Sequence, residues 1–104
     1  MKIYNKLVRD KIPEIIEAGG GKAEIRILTD EEYAVYLEAK LDEETGEYHR
    51  DKTPEELADI LEVVYALAAS QGVSKGELEK IYQKKHDTRG GFEQKILLIS
   101  SEKR

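Results

Sequence analysis

The sequence predicts an all-α fold, a compact four-helix arrangement built as an oligomer, with room for one short two-stranded ribbon. Three observations carry this expectation. Four stretches open on a helix-capping residue and continue with apolar side chains at helical spacing. Glycines punctuate them at Gly19-Gly20-Gly21, Gln71-Gly72 and Gly90-Gly91. Only two short runs are β-prone, too few for a sheet core. At 104 residues and 11.9 kDa the chain makes one domain, residues 1–104, with no repeat and no linker.

The first helix is expected over about 10–18. Asp10 is its candidate cap, Pro13 is tolerated in the first turn, and Ile12, Ile15 and Ile16 form an apolar stripe. Glu24-Ile25-Arg26-Ile27-Leu28 is the first β-prone run. Thr29 and Glu32 have capping-box spacing, and Tyr33, Tyr36, Leu37 and Leu41 follow on one face of a second helix reaching about residue 49. Thr53-Pro54-Glu55-Glu56 opens the third helix, with Thr53 at the cap, proline at the first helical position and Glu56 three residues on. From Leu57 to Ala69 that helix is apolar on nearly every face, which places it centrally and calls for neighbouring helices plus a partner subunit. Ser74 and Glu77 open the fourth helix, which runs to about Thr88 and is expected to turn Leu78, Ile81 and Tyr82 inward. Ile96-Leu97-Leu98-Ile99 is the second β-prone run.

Composition excludes several function classes. No run approaches the ~20 apolar residues of a bilayer crossing, and Met1–Lys6 lacks the apolar core of a secretion signal. Zero cysteines rule out disulfides, thiolate metal sites and a cysteine nucleophile, and fit a reducing cytoplasm. A net charge of −5 speaks against nucleic-acid polymers as partners. The charge is segregated. Residues 1–11 carry net +3, residues 42–62 net −7, and residues 80–95 net +3. Solvated, salt-bridged helix faces would account for this pattern. So would a site where carboxylates hold divalent cations and basic segments hold phosphates.

The inward stripe of the second helix, continued past Leu41, reaches Glu44 and Glu47. On the third helix Glu56 and Asp59 have the same i, i+3 spacing beside Leu57 and Ile60. Residues so spaced have Cβ atoms about 5–6 Å apart, and like charges at that distance repel unless something neutralises them. If the two helices are antiparallel, the pairs meet near the connection at 50–53 and form an oxygen-rich cage suited to magnesium or manganese. Glu43 adds a fifth carboxylate, as an outer ligand or a base for water. Each residue also has an ordinary explanation. Glu56 can serve as the cap partner of Thr53, Glu44 can pair with Lys40, and Asp59 and Glu62 can face water. His49 and His86 cannot assemble a zinc site.

Lys85 and Arg89 line up at i, i+4 before Gly90-Gly91, a candidate phosphate contact with Arg89 as its better member, since arginine matches phosphate oxygens bidentately. Lys6, Arg9 and Lys11 offer further donors. Macrodipole complementation is the alternative use for the basic end of the fourth helix.

Glu43-Glu44-x-x-Glu47 followed by Glu56-x-x-Asp59 resembles the EExxE…ExxD signature of the all-α nucleotide pyrophosphohydrolases, the MazG-like and phosphoribosyl-ATP pyrophosphohydrolase-like superfamily. Tyr4-Asn5-Lys6-Leu7-Val8-Arg9-Asp10-Lys11-Ile12-Pro13 and Arg89-Gly90-Gly91-Phe92 resemble one small single-domain branch of it. The resemblance implies a homodimer or tetramer and magnesium-dependent cleavage between the α and β phosphates of a nucleoside triphosphate, giving a monophosphate and pyrophosphate. By motif position the metal ligands would be Glu44, Glu47, Glu56 and Asp59. Glu43 or Glu47 would take the water's proton, and Lys6, Arg9, Lys11, Lys85 and Arg89 would contact phosphates. House-cleaning of a cytoplasmic nucleotide pool would be the setting. Only eight residues separate Glu47 from Glu56, fewer than in many MazG-like proteins, so the connection must be tight. Phosphoribosyl-ATP is an alternative substrate. A non-enzymatic acidic helical module that dimerises or binds protein through the third helix is the alternative class.

Overall fold

The computed structural model describes residues 1–103 and contains four helices, α1 (Ile12–Ala18), α2 (Asp30–Asp51), α3 (Pro54–Ser70) and α4 (Lys75–Arg89). The described residues contain no strand, so the fold is all-α.

Local chemistry sets most helix boundaries. Thr29 and Ser74 accept hydrogen bonds from the N–H groups of Glu32 and Glu77, whose carboxylates accept the cap N–H groups in return. Both are complete capping boxes. Thr53 accepts from the Glu56 N–H at 3.4 Å, with Pro54 at the first helical position. Asp10, by contrast, does not cap α1. Its third following residue is Pro13, which has no N–H to offer, and the helix starts one turn-edge later with Lys11 at the cap position and no side-chain bond.

α2 and α3 form a helical hairpin with a two-residue connection. Lys52 takes the left-handed conformation (φ 54°) and its N–H closes α2 on the Tyr48 carbonyl at 2.7 Å. Thr53 then starts α3 immediately. The tightness expected between Glu47 and Glu56 is met by this pair. Among the described residues the buried side chains all lie on the hairpin: Leu37 and Glu44 on α2, Val63 and Ala68 on α3.

Beyond the hairpin the chain spreads out. α4 is turned by 107° from α3 and packs on no other helix, while α1 packs on none. Gly72 (φ 80°) permits the turn, and the Val73 N–H closes α3 on the Ala68 carbonyl at 2.9 Å. The molecule measures 63 × 31 × 22 Å with a radius of gyration of 18.3 Å, against about 13 Å for a compact chain of this length. The expected compact arrangement is therefore not reached by one chain.

Two further expectations are corrected. The β-prone runs at 24–28 and 96–99 form no ribbon within the described residues; an isolated two-stranded pair is marginal on its own. Ile81 and Tyr82 do not turn into a core. They stay 50% and 63% exposed on α4, because the helix leaves the hairpin. Among the described residues no single helix is long and apolar enough to cross a membrane.

Candidate metal centre

The closed end of the α2–α3 hairpin collects the carboxylates. Glu44 is buried and Glu47, Glu56 and Asp59 are half-buried, and each offers an oxygen within 4.8 Å of the others. The apolar stripe of α2 runs through Leu37, half-buried Leu41 and then Glu44, so the helix turns this acid inward by the same periodicity that buries its leucines. The Lys52-Thr53 turn brings the first two turns of α3 alongside.

Glu56 distinguishes a cap from a ligand. Its backbone N–H serves Thr53, but its carboxylate does not return to the cap N–H as those of Glu32 and Glu77 do. The side chain turns into the cluster instead, where its Oε2 is shut from solvent with no hydrogen-bond partner. Glu44 Oε2 is in the same condition. Buried oxygens normally have a partner, and these two could find one in a bound cation or in a proton.

Their proton affinities follow from these surroundings. Burial pushes the Glu44 carboxyl above the ordinary carboxylate range and Glu47 pushes it further, while Lys40 only partly offsets this. Burial also raises Glu56, with additions from Glu47, Asp51 and Asp59. Glu43 goes the other way. Burial raises it, but hydrogen bonds from Lys6 and Lys40 outweigh that and hold it below its usual value.

Two basic residues from the N-terminal segment reach the cluster. Lys6 Nζ lies 2.8 Å from Glu43 Oε1. Arg9 Nη2 lies 2.7 Å from Asp59 Oδ1, with Nη1 3.4 Å from Glu62 Oε1. Asn5, at φ 46°, turns the segment ahead of Lys6. Lys40 is a member that residue patterns suggested only as a salt-bridge partner. It is 3.0 Å from Glu43 and 3.4 Å from Glu44, and with Asn5, Lys6, Leu7 and Tyr36 it lines a shallow cleft of about 270 Å³ beside Glu43. Its i, i+3 and i, i+4 spacing from the two acids was the available signal.

The remaining candidates lie elsewhere. Lys11 is exposed at the cap of α1, and Lys85 is exposed on α4. Arg89 lines a separate cleft of about 310 Å³ with His86, Gly90 and Gly91, none of whose lining residues belongs to the cluster. His49 is exposed, its ring edge-on to Tyr48.

The donor set fits a hard divalent cation. Four carboxylates supply oxygen only, the ligand type that magnesium and manganese take.

A protein of Mycolicibacterium smegmatis, itself uncharacterized, is 57% identical over 42 residues, which cover 40% of this chain and 43% of that protein. The match thus spans less than half of the relative's length. No protein-family model matches the chain, and no solved structure matches it.

Proposed function

We propose that the chain is a magnesium-dependent nucleotide pyrophosphohydrolase that splits the α–β anhydride of a nucleoside triphosphate with water, giving a nucleoside monophosphate and pyrophosphate. The observation that supports it is the convergence of four carboxylates with two orphaned, buried oxygens, Glu44 Oε2 and Glu56 Oε2. The motif order noted above supplies the reaction class.

Glu44, Glu47, Glu56 and Asp59 would hold the ion, magnesium or manganese, which when bound would supply charge for the triphosphate oxygens and acidify water. Glu47 is the better placed proton acceptor. Glu43 is engaged by Lys6 and Lys40, and its lowered proton affinity makes it the weaker base. Lys6 and Arg9 stand at the rim on exposed ion pairs and exchange carboxylate partners for phosphate oxygens as the triphosphate enters, stabilising the leaving pyrophosphate. Lys40 lines the adjacent cleft and joins them. Lys11, Lys85 and Arg89 have no contact with the cluster in one chain and are left out of this machinery. The cytoplasm, where nucleoside triphosphates are abundant, is the setting this activity requires.

Pyrophosphate release across common and damaged triphosphates and phosphoribosyl-ATP, with and without Mg²⁺, tests the proposal. Calorimetric titration with Mg²⁺ accompanies it. Magnesium heat together with pyrophosphate from at least one substrate is the expected result. Neither heat nor release would leave the acidic binding module as the surviving class.

A further inference from the structure

The two β-prone runs that fail to pair within the chain carry an inference that does not depend on the metal centre. Residues 24–28 and 96–99 are in no helix, strand or turn, and none of their backbone groups takes part in a backbone hydrogen bond. All but one of their aliphatic side chains are open to solvent, with Ile25 at 62%, Ile27 at 85%, Leu97 at 84% and Ile99 at 89% exposure; Leu28 is half-buried. Unpaired backbone beside exposed branched aliphatics is a template for strand addition.

The surface area says that a large partner is needed. One chain exposes 9587 Å², whereas a compact monomer of 11.9 kDa exposes roughly 6,000 Å². The excess, about 3,600 Å² per chain, is more than an obligate dimer of ~2,000–5,000 Å² total requires from each side. A second copy is the occupant that resolves both runs together. Each chain holds one half of two ribbons, so a two-fold pair matches 24–28 of each protomer with 96–99 of its partner and leaves no run unpaired. A foreign strand would satisfy one run and strand the other. Leu57 and Leu61, one turn apart on α3, leave further apolar surface open at 50% and 49% exposure.

We propose that the chain forms a reciprocal homodimer in which residues 24–28 of one protomer pair with residues 96–99 of the other, building between two copies the ribbon that one copy lacks.

Hydrogen exchange on the full-length chain, with mass from light scattering at about 100 µM, tests this without assuming a strand register. The expected result is a dimer whose amides in 24–28 and 96–99 exchange at least tenfold slower than unstructured peptide. A monomer overturns the proposal, and so does a dimer in which either run exchanges at the unstructured rate. Of Leu97→Pro and Leu98→Pro, which cover both alternations of the strand, one removes a ladder donor and is expected to give a monomer of unchanged helical circular dichroism. A dimer that persists in both variants overturns the proposal. The chain has no cysteine, so mixing Ile27→Cys with Leu98→Cys chains adds a direct readout. Mild oxidation should link the mixture into a species of twice the mass faster than it links either chain alone, and faster self-linking of either one overturns the pairing.

Discussion

Arg9 Nη2 lies 2.7 Å from Oδ1 of Asp59, across fifty residues of sequence, so a cation already occupies one of the four carboxylates that converge at the end of the hairpin. Both groups are partly exposed, Arg9 at 51% and Asp59 at 39%, which makes the pair exchangeable. Solvent-exposed pairs are worth about 0–1 kcal/mol. Arg9→Ala should therefore tighten Mg²⁺ binding by up to about fivefold, since the ion no longer displaces a guanidinium. Calorimetry or Mn²⁺ paramagnetic resonance measures this. Unchanged or weaker binding would show that Arg9 does not compete for Asp59.

Glu44→Gln and Asp59→Asn keep the side-chain shapes and remove one charge each. Turnover should fall by more than the roughly 10–100-fold typical of partners outside the coordination shell. Helical circular dichroism should be retained in both. Wild-type pyrophosphate release in either variant would remove that residue from the metal site.

The raised proton affinities of Glu44 and Glu56 set a pH dependence of stability in metal-free protein. Between the unfolded and the raised folded pKa, the folded state binds more protons, so stability rises as pH falls from 7 toward the carboxylate range. Glu43 and Glu32 act oppositely. Arg26, followed by the Thr29 N–H, holds Glu32 at about 2, so its contribution is present above the ordinary carboxylate pKa and disappears as pH drops through about 2. The melting temperature should climb on mild acidification and then fall, and saturating Mg²⁺ should flatten the climb. Glu44→Gln should reduce it. A monotonic fall from pH 7 would contradict the buried-carboxylate geometry.

Thr53→Ala removes the cap that starts α3 directly after the two-residue connection. Loss of an N-cap costs about 1 kcal/mol, or roughly 4–8 °C in a domain of this size. Because the same turn places Glu56 and Asp59, Mg²⁺ affinity should fall with it. Thermal melts with and without the ion separate the two effects, since a purely local cap loss would leave the Mg²⁺-induced rise intact.

Glu32→Ala and Glu56→Ala should move metal-free stability in opposite directions. Glu32 completes a capping box, accepting the Thr29 N–H at 3.0 Å and an Arg26 bond at 2.9 Å. Glu56 sits at the equivalent position of α3, but its carboxylate is committed to the cluster and orphaned there. Comparing the two melting temperatures without metal checks this, with a fall expected for Glu32→Ala and a rise for Glu56→Ala.

What the residues determine alone is local. Thr29 with Glu32, Thr53 with Pro54 and Ser74 with Glu77 start helices through bonds that span three residues, and so the all-α class and most boundaries were legible. The inward placement of Glu44 was legible too, because helical periodicity carries the stripe of Leu37 and Leu41 to it. Only tertiary structure decided which of two uses Glu56 takes, since cap and cluster are equally near in sequence and the packing of α2 selects between them. The same holds for Arg9 on Asp59 and Lys6 on Glu43, charge pairs whose partners lie 50 and 37 residues away. It holds for the departure of α4 and for the unpaired state of 24–28 and 96–99. Periodicity marks a face as apolar, but the identity of what covers that face depends on where the chain goes next.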